Sequence, residues 1–454
     1  MRDLIETALR GHDGDYCEIR IEESASTSIM YRGKELEDIG ATTGIGGNVR
    51  AAVKGGWGFV SFNDLDDLDE KVSLAVRQAR LAAQTETRLA EVEPVVGVAG
   101  AEVESDAADV SLADKKAIMD EYVDAAWSVS DKIQTSQIYY SDAHKKKFFA
   151  NSDGTYTEQD RMYVRTGGVV VARDNGEVQQ GRTSRASTSD FNIVRGLHGE
   201  FEKAARSAVS LLDAEPAKSG EFTVVLDPTI ASVFIHEAFG HLSEADHVYE
   251  NPKLRDLLVL GDEIASPILT VADSAAEASL SGSYKYDDEG TPSRKNYLIQ
   301  EGRLVGRLHS RETAGNMNEP PTGNARAITY RFPPIVRMTN TSIEAGETTF
   351  EDLLGDVADG VYVVNWLGGQ TAMEMFTFRA MEAYAIRNGR LAEPLRGVTL
   401  TGNVFETLKN IDAVADDFMW DPGGGGCGKG GQAPLAVGAG SPHIRVAKCV
   451  IGGV

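Results

Sequence analysis

The chain has 454 residues, of which 42% are apolar, enough for more than one hydrophobic core, so two domains are expected. Its 69 acidic against 45 basic residues leave a formal charge of −24, which argues against a nucleic-acid backbone or an anionic membrane as main partner and favours solubility. Three cysteines, Cys17, Cys427 and Cys449, are too few for a disulfide framework and point to a reducing compartment. Charged residues at Arg2, Asp3 and Glu6 stand where a signal peptide would need an apolar core. No apolar run approaches the roughly 20 residues of a membrane span, and a cytoplasmic location is expected.

In chain order, Leu4 to Arg10 reads as a short helix, and Tyr16 to Glu22 and Thr27 to Tyr31 alternate like strands. Gly44 to Phe62 is a glycine-punctuated hairpin. Asp64 is placed to cap a helix with Leu65, Leu68, Val72, Ala75, Val76 and Ala79 on one face, the spacing of core packing. Periodicity is lost over about 90–110, which reads as a linker. Ser111 and Asp114 then open a helix with an expected stripe of Ile118, Tyr122, Ala125 and Val129. Strands follow at Ser136 to Ser141, Lys146 to Asn151, Gln159 to Ala172 and Glu177 to Ser187, then a helix near Phe201 to Leu212. The polar stretch Asp213 to Gly220 is the expected boundary between an N-terminal mixed α/β domain, residues 1–215, and a larger domain, residues 216–454. The second half is mostly short strands between glycine turns, which predicts a mainly antiparallel, open barrel-like sheet and an α+β fold overall.

The motif that carries chemistry is His236-Glu237-Ala238-Phe239-Gly240-His241. Phe222 to Leu226 reads as a buried strand, Asp227-Pro228 as a turn and N-cap, and Ile230 to Phe239 as the helix bearing it. Two histidines with a glutamate between them can hold a divalent metal beside a general base, the equipment for amide hydrolysis. A step of four residues on a regular helix rotates about 40°, but a step of five rotates about 140° and points the two rings apart. The expectation is that Gly240, able to adopt positive φ, ends or unwinds the helix and swings His241 back toward His236.

A catalytic zinc ion takes three protein ligands and leaves one position open. Two histidines leave one vacancy, for which Glu244, Asp246, His247, Cys427 and Cys449 are candidates. Cys427 lies in the glycine run Gly423-Gly424-Gly425-Gly426-Cys427-Gly428-Lys429-Gly430-Gly431-Gln432, where backbone can approach a metal or a substrate closely. Cys449, in an apparent C-terminal strand, reads as a small buried residue. Thiolate with imidazole suits Zn²⁺ better than magnesium or calcium.

With these motifs the chain resembles the TldD/PmbA family, and within it the TldD type. The resemblance rests on His236-Glu237-x-x-x-His241 followed by Cys427-Gly428-Lys429-x-Gly431-Gln432. Between them stand Asp287 to Pro292, Pro321 to Asn324, Arg337 to Thr341 and Gly368-Gly369-Gln370, in the family's order. It implies a zinc metallopeptidase acting on unstructured peptides, with His236, His241 and Cys427 as ligands and Glu237 as base. It also implies a dimer, either a homodimer or a heterodimer with a PmbA (TldE)-type subunit, that admits only unfolded chains.

On this reading, backbone of the loop at Gly425, Gly426 and Gly428 would pair with an extended peptide, recognising main chain more than side chains. Lys429 and Gln432 would hold a substrate carboxyl terminus or oxyanion, or else only the loop. The remaining histidines, His12, His144, His198, His309 and His443, lack partner spacing and are assigned surface or structural roles, and Asp287, Asp288 and Glu289 an acidic turn rather than a calcium site. The alternative from another class is a non-catalytic interaction protein in which the histidine motif is structural.

Overall fold

A computed structural model describes residues 1–372 and 374–452. The first half builds one sheet from β1 (Tyr16–Arg32), β2 (Glu35–Val53), β3 (Gly56–Phe62), β4 (Val96–Ala99), β5 (Ile133–Asn151), β6 (Tyr156–Asp174) and β7 (Glu177–Ser187). Its order is β3-β2-β1-β5-β6-β4, with β7 also on β6, and every pairing is antiparallel except β4 with β6. The two short strands expected over residues 16–31 are one continuous strand, and so are the two expected over 136–151, because polar residues between them pair on both edges. Part of the expected linker, Val96–Ala99, joins the sheet as a parallel edge strand.

One face of this sheet is covered by helices. α1 (Arg2–Ala8) and α2 (Leu68–Ala82) pack over one end, where Leu68, Val72, Ala75, Val76 and Ala79 meet Ile19, Ile21, Val49 and Ala51. α2 starts after Asp67, which is left-handed at φ 50°, and Asp64 instead pairs with Lys71 at 2.9 Å, so the expected cap lies three residues too early. α3 (Leu112–Trp127) is capped as expected by Ser111, whose Oγ accepts from the Asp114 N–H. Its buried stripe is Met119, Tyr122, Val123 and Ala126, rotated by about one position from the expected one, because Tyr122 stacks on Phe201 of α4 (His198–Ser210) at 4.7 Å.

The opposite face of the sheet is charged and also buried. In β1, Cys17, Ile19 and Ile21 point to the helix side while Glu18, Arg20 and Glu22, all at most 4% exposed, alternate with them. Glu22 pairs with Lys145 within the sheet, and the second half reaches the layer through the turn Asp287-Asp288-Glu289. Asp288 pairs with Arg20 at 3.1 Å and Lys147 at 2.7 Å, and Glu289 pairs with Arg50, itself bound to Glu18. Asp287 accepts the Glu289, Thr291 and Ala325 N–H groups. The acidic residues are thus consumed by the fold.

The second half contains a closed ring of five strands: Gly220–Leu226, Ile444–Gly452, Thr399–Asn403, Met375–Arg387 and Asp359–Ala372, the last pairing back to the first. All pairings are antiparallel but the closing one, as the glycine-punctuated pattern predicts. Beside it a second sheet runs Arg303–Leu304, Lys295–Gln300, Val271–Ser274, Asn340–Ile343, Gln432–Ser441 and Met419–Trp420, with Gly425–Lys429 hairpinned onto Gln432–Ser441. The helix α5 (Pro228–Ile235) leaves the barrel strand Gly220–Leu226, and Phe234 meets the edges of Phe376 and Phe378 at 5.3 and 6.0 Å.

Burial alone would raise the Asp288 carboxyl, but Lys147 and Arg20 outweigh that cost and hold it below the usual carboxylate range. Its contribution is therefore present above the unfolded carboxylate pKa of about 3.9 and is lost as pH falls through the folded value. Asp288→Asn leaves Arg20 and Lys147 buried without that charge and is expected to cost about 3–5 kcal/mol in urea denaturation at pH 7, a penalty that shrinks toward pH 3.

Candidate functional site

The site starts from α5. Asp227 caps it, its Oδ1 accepting the Ile230 N–H at 3.0 Å, and Pro228 occupies the first turn where a missing N–H costs nothing. Past Ile235 the helix widens: residues His236–Gly240 form one π turn, and the His241 N–H donates to the His236 carbonyl five residues back. That i→i+5 bond carries His241 round to the His236 side, where a regular helix would have turned it away. The two rings lie 5.4 Å apart, edge to face.

Gly240 does not work as expected. Its backbone is right-handed, φ −53° and ψ −49°, so positive φ is not what the turn requires. A Cβ at Gly240 would stand 2.1 Å from Met338 Sδ, and glycine is there because the turn is pressed against the buried Met338. The chain then tightens into a 3₁₀ turn, His241–Ser243.

The glycine run is an ordered hairpin. Gly425–Lys429 pairs antiparallel with Gln432–Ser441 through a two-residue turn, Gly430 and Gly431, both at positive φ, as such hairpin turns need. Arg337, fully buried, donates Nη2 to the Cys427 carbonyl at 2.8 Å and Nη1 to the Gln432 carbonyl at 3.2 Å, clamping both strands.

These elements bring one donor atom each of His236, His241 and Cys427 within 4.8 Å of one another. Cys427 Sγ lies 3.4 Å from His241 Nε2, and Glu237 Oε2 lies 3.9 Å from the same nitrogen. Glu237 is 29% exposed, whereas His236 and Cys427 are buried, so a half-open carboxylate borders a closed donor set. His236 Nδ1 is buried with no hydrogen-bond partner. Burial pushes the Cys427 thiol up, but hydrogen bonds from His236 and His241 outweigh it and bring the thiol down to about 5. Burial opposes the charged form of His241, and its bonds to Cys427 and Glu244 still raise it to about 10. The site favours thiolate, the form that binds metals.

Of the other third-ligand candidates, Glu244 stands behind the site: fully buried, its Oε2 lies 3.0 Å from His241 Nδ1. His247 is about half exposed on the far side of Glu244, and Asp246 is held by Lys429 at 2.6 Å. Cys449 lies in the barrel strand Ile444–Gly452 opposite Phe222, its thiol pushed up to about 12 by burial. Lys429 Nζ donates to Asp246 and the Val336 carbonyl and lies 3.1 Å from Glu244. Gln432 accepts from Ile328 N–H and donates to the Pro333 carbonyl. Among the remaining histidines, His144, His198, His309 and His443 bond to Asp106, Glu121, Glu319 and Asp417. Sequence reasoning found no role for Arg337 or Met338, although both lie in a motif it singled out; burial of an arginine in the irregular segment between two short strands gives no periodic signal.

Models of the PmbA/TldA metallopeptidase match the chain in three pieces, domain 1 over residues 17–83, the central domain over 105–212 and the C-terminal domain over 219–453. The chain belongs to the TldD/PmbA metallopeptidase family. A metalloprotease of Synechocystis sp. is 46% identical over 440 residues, 97% of this chain and 95% of that protein. A zinc metalloprotease TldD homolog of Saccharolobus solfataricus is 33% identical over 327 residues, 69% of this chain and 70% of that protein. The crystal structure of TldE from Thermococcus kodakarensis shares the fold with a TM-score of 0.79 at 18% identity, covering 100% of both chains.

Gly240→Ala is expected to destabilise the protein by about 1–3 kcal/mol through overpacking, and the same change made in a Met338→Ala background should cost much less. A penalty that Met338→Ala leaves intact in chemical denaturation would mean that backbone conformation, not the thioether, excludes a side chain here.

Proposed function

We propose that this protein is a cytoplasmic, zinc-dependent metallopeptidase that hydrolyses unstructured peptides or unfolded polypeptides. One observation carries the reading: two imidazoles and a thiolate, from segments 186 residues apart, converge beside the half-open carboxylate of Glu237. The donors suit zinc in chemistry and in spacing. Neighbouring ligands around a tetrahedral zinc ion with bonds of about 2.0–2.3 Å are about 3.3–3.8 Å apart, and the Cys427–His241 separation is 3.4 Å.

His236, His241 and Cys427 would hold the ion, which when bound supplies a Lewis acid and lowers the pKa of water toward neutrality. Glu237 is the base: it takes a proton from the attacking water and passes it to the leaving amine. Glu244 accepts the Nδ1–H of His241 and so fixes the tautomer whose Nε2 is free to bind. The strand Gly425–Lys429 pairs with one neighbour only among the described residues, and Gly425, Gly426 and Gly428 present backbone without side chains, which supports pairing with an extended peptide. Lys429 and Gln432 then serve the site by holding the hairpin. The polar stretch near residue 215 divides an N-terminal α+β domain from the catalytic one, and the active form is a dimer, with itself or with a PmbA (TldE)-type subunit.

Purified protein should contain one zinc ion per chain by elemental analysis and cleave an unstructured peptide. Glu237→Gln should keep the metal and lose about 10²–10⁴-fold in rate, whereas Cys427→Ala should lose the metal itself. Stoichiometric zinc in the Cys427→Ala protein would sink the ligand assignment, and intact zinc with no cleavage by the parent would favour a non-catalytic interaction protein.

Glu244→Gln tests the support of His241 separately. Outer partners of this kind are worth about 10–100-fold in metal affinity, and a loss of that size is expected in competition with a chromophoric chelator.

A further inference from the structure

Behind the metal hairpin lies a cavity of about 180 Å³ between β5 and β6 on one side and the strand Gln432–Ser441 on the other. It is continuous with the hairpin: Leu435 and Ala436 in its wall stand opposite Cys427 and Gly426 in the strand register. Its walls carry Lys145, Lys147, Arg161 and Arg326, a concentration of cations in a chain whose formal charge is −24.

Two of those cations lack a carboxylate partner among the described residues. Arg161 donates Nη2 to the Ser281 carbonyl at a long 3.4 Å, and Arg326 donates to the Met338 and Ala436 carbonyls. The two guanidinium groups flank the Tyr284 ring, 6.0 and 5.3 Å from its centre. The acidic wall residues are already engaged, Asp288 by Arg20 and Lys147 and Asp287 by three backbone N–H groups. Burial and the neighbouring Arg326 bring the Arg161 guanidinium down to about 10. Arg326 is buried and Arg161 partly so; a positive charge shielded from water without a counter-charge is costly, and an anion entering the cavity would relieve that cost. A planar carboxylate offers the two in-plane oxygens that a guanidinium fork matches.

We propose that this cavity is a carboxylate-binding subsite that receives the C-terminal carboxylate of a peptide laid along the metal hairpin, with Arg161 as its principal donor. The inference rests on the peptidase reading and names a feature of its substrate. The same chemistry is available from an aspartate or glutamate side chain near the end of the peptide, and the experiment separates the two sources.

Binding of a fluorescent unstructured peptide is measured by anisotropy on full-length Glu237→Gln protein, so that turnover does not interfere. The peptide is compared as free acid, as C-terminal amide, and as amide with glutamate at the last position. The free acid is expected to bind about tenfold or more tightly than the plain amide, the size of one charge-assisted contact. Arg161→Met should abolish the difference and Arg161→Lys should keep part of it, thermal melting showing that each variant is folded. Tightening by the glutamate amide would assign a carboxylate from either source, and no tightening would assign the terminus alone. Equal binding of acid and amide with Arg161 in place would overturn the proposal, as would a preference surviving in folded Arg161→Met; should Arg161→Met not fold, the acid–amide comparison in the Arg161-bearing protein decides. Because binding is the readout, failure of cleavage would count against the peptidase reading alone, and cleavage without carboxylate preference against this subsite alone.

Discussion

A single backbone hydrogen bond, from the His241 N–H to the His236 carbonyl, is the constraint on which the rest of the site depends. It adds one residue to one helical turn and converts a spacing of five, which a regular helix would scatter, into a pair of facing imidazoles. The widened turn is sustained from outside. Phe239 and Ala238 are buried in the barrel-side core, Met338 presses on Gly240, and Ser243 Oγ donates to the Gly240 carbonyl at 2.6 Å where the helix tightens again. A π turn left to itself would relax to regular helix; this one is bracketed by packing on one side and by a side-chain bond on the other.

The thiolate reaches the histidines by a separate set of polar ties. Arg337 grips the carbonyls of Cys427 and Gln432, one on each strand of the hairpin, and Lys429 reaches across to Glu244 and Asp246 on the segment following His241. Lys429 follows Cys427 by two residues and Glu244 follows His241 by three, so their ion pair fastens the two ligand-bearing segments just outside the donor set. Glu244 is held near pH 2 in its titration because, against the cost of burial, it faces His241 and Lys429 together. It is one carboxylate with two tasks, orienting an imidazole and anchoring a loop.

Local features of the sequence carried much of this. The helix before the motif was legible from Asp227-Pro228, the first strand from the alternation in Tyr16 to Glu22 and Thr27 to Tyr31, and the barrel from glycine-spaced short strands, since each reflects forces between near neighbours. The family motifs also named the residues that meet at the site. Two things were not legible. The role of Gly240 depends on a methionine almost a hundred residues away, and no local pattern distinguishes a glycine needed for φ from one needed for space. The alternation in Tyr16 to Glu22 gives a charged face, which in isolation reads as solvated; that Glu18, Arg20 and Glu22 are buried follows only from partners distant in sequence, Arg50 for Glu18, Lys145 for Glu22 and Asp288 of the turn at 287–289 for Arg20.

That buried charged layer bears on the site as well as on the fold. Asp288 joins Arg20 of β1 and Lys147 of β5 while its Oδ2 also accepts the Ala327 N–H; the adjoining Arg326 donates to the Ala436 carbonyl, and Ala436 pairs with Gly426 beside Cys427. The register of the N-terminal sheet is thus passed by named contacts to the strand that carries the thiolate. An apolar interface of equal area would tolerate sliding, because dispersion is nearly indifferent to small shifts. Buried ion pairs do not: displacing one partner strands the other charge in a dry interior, at a cost greater than the intact pair contributes. The two halves therefore dock in one register or fail to dock, and a donor set with one thiolate on a distant hairpin needs that kind of definition to close within bonding range.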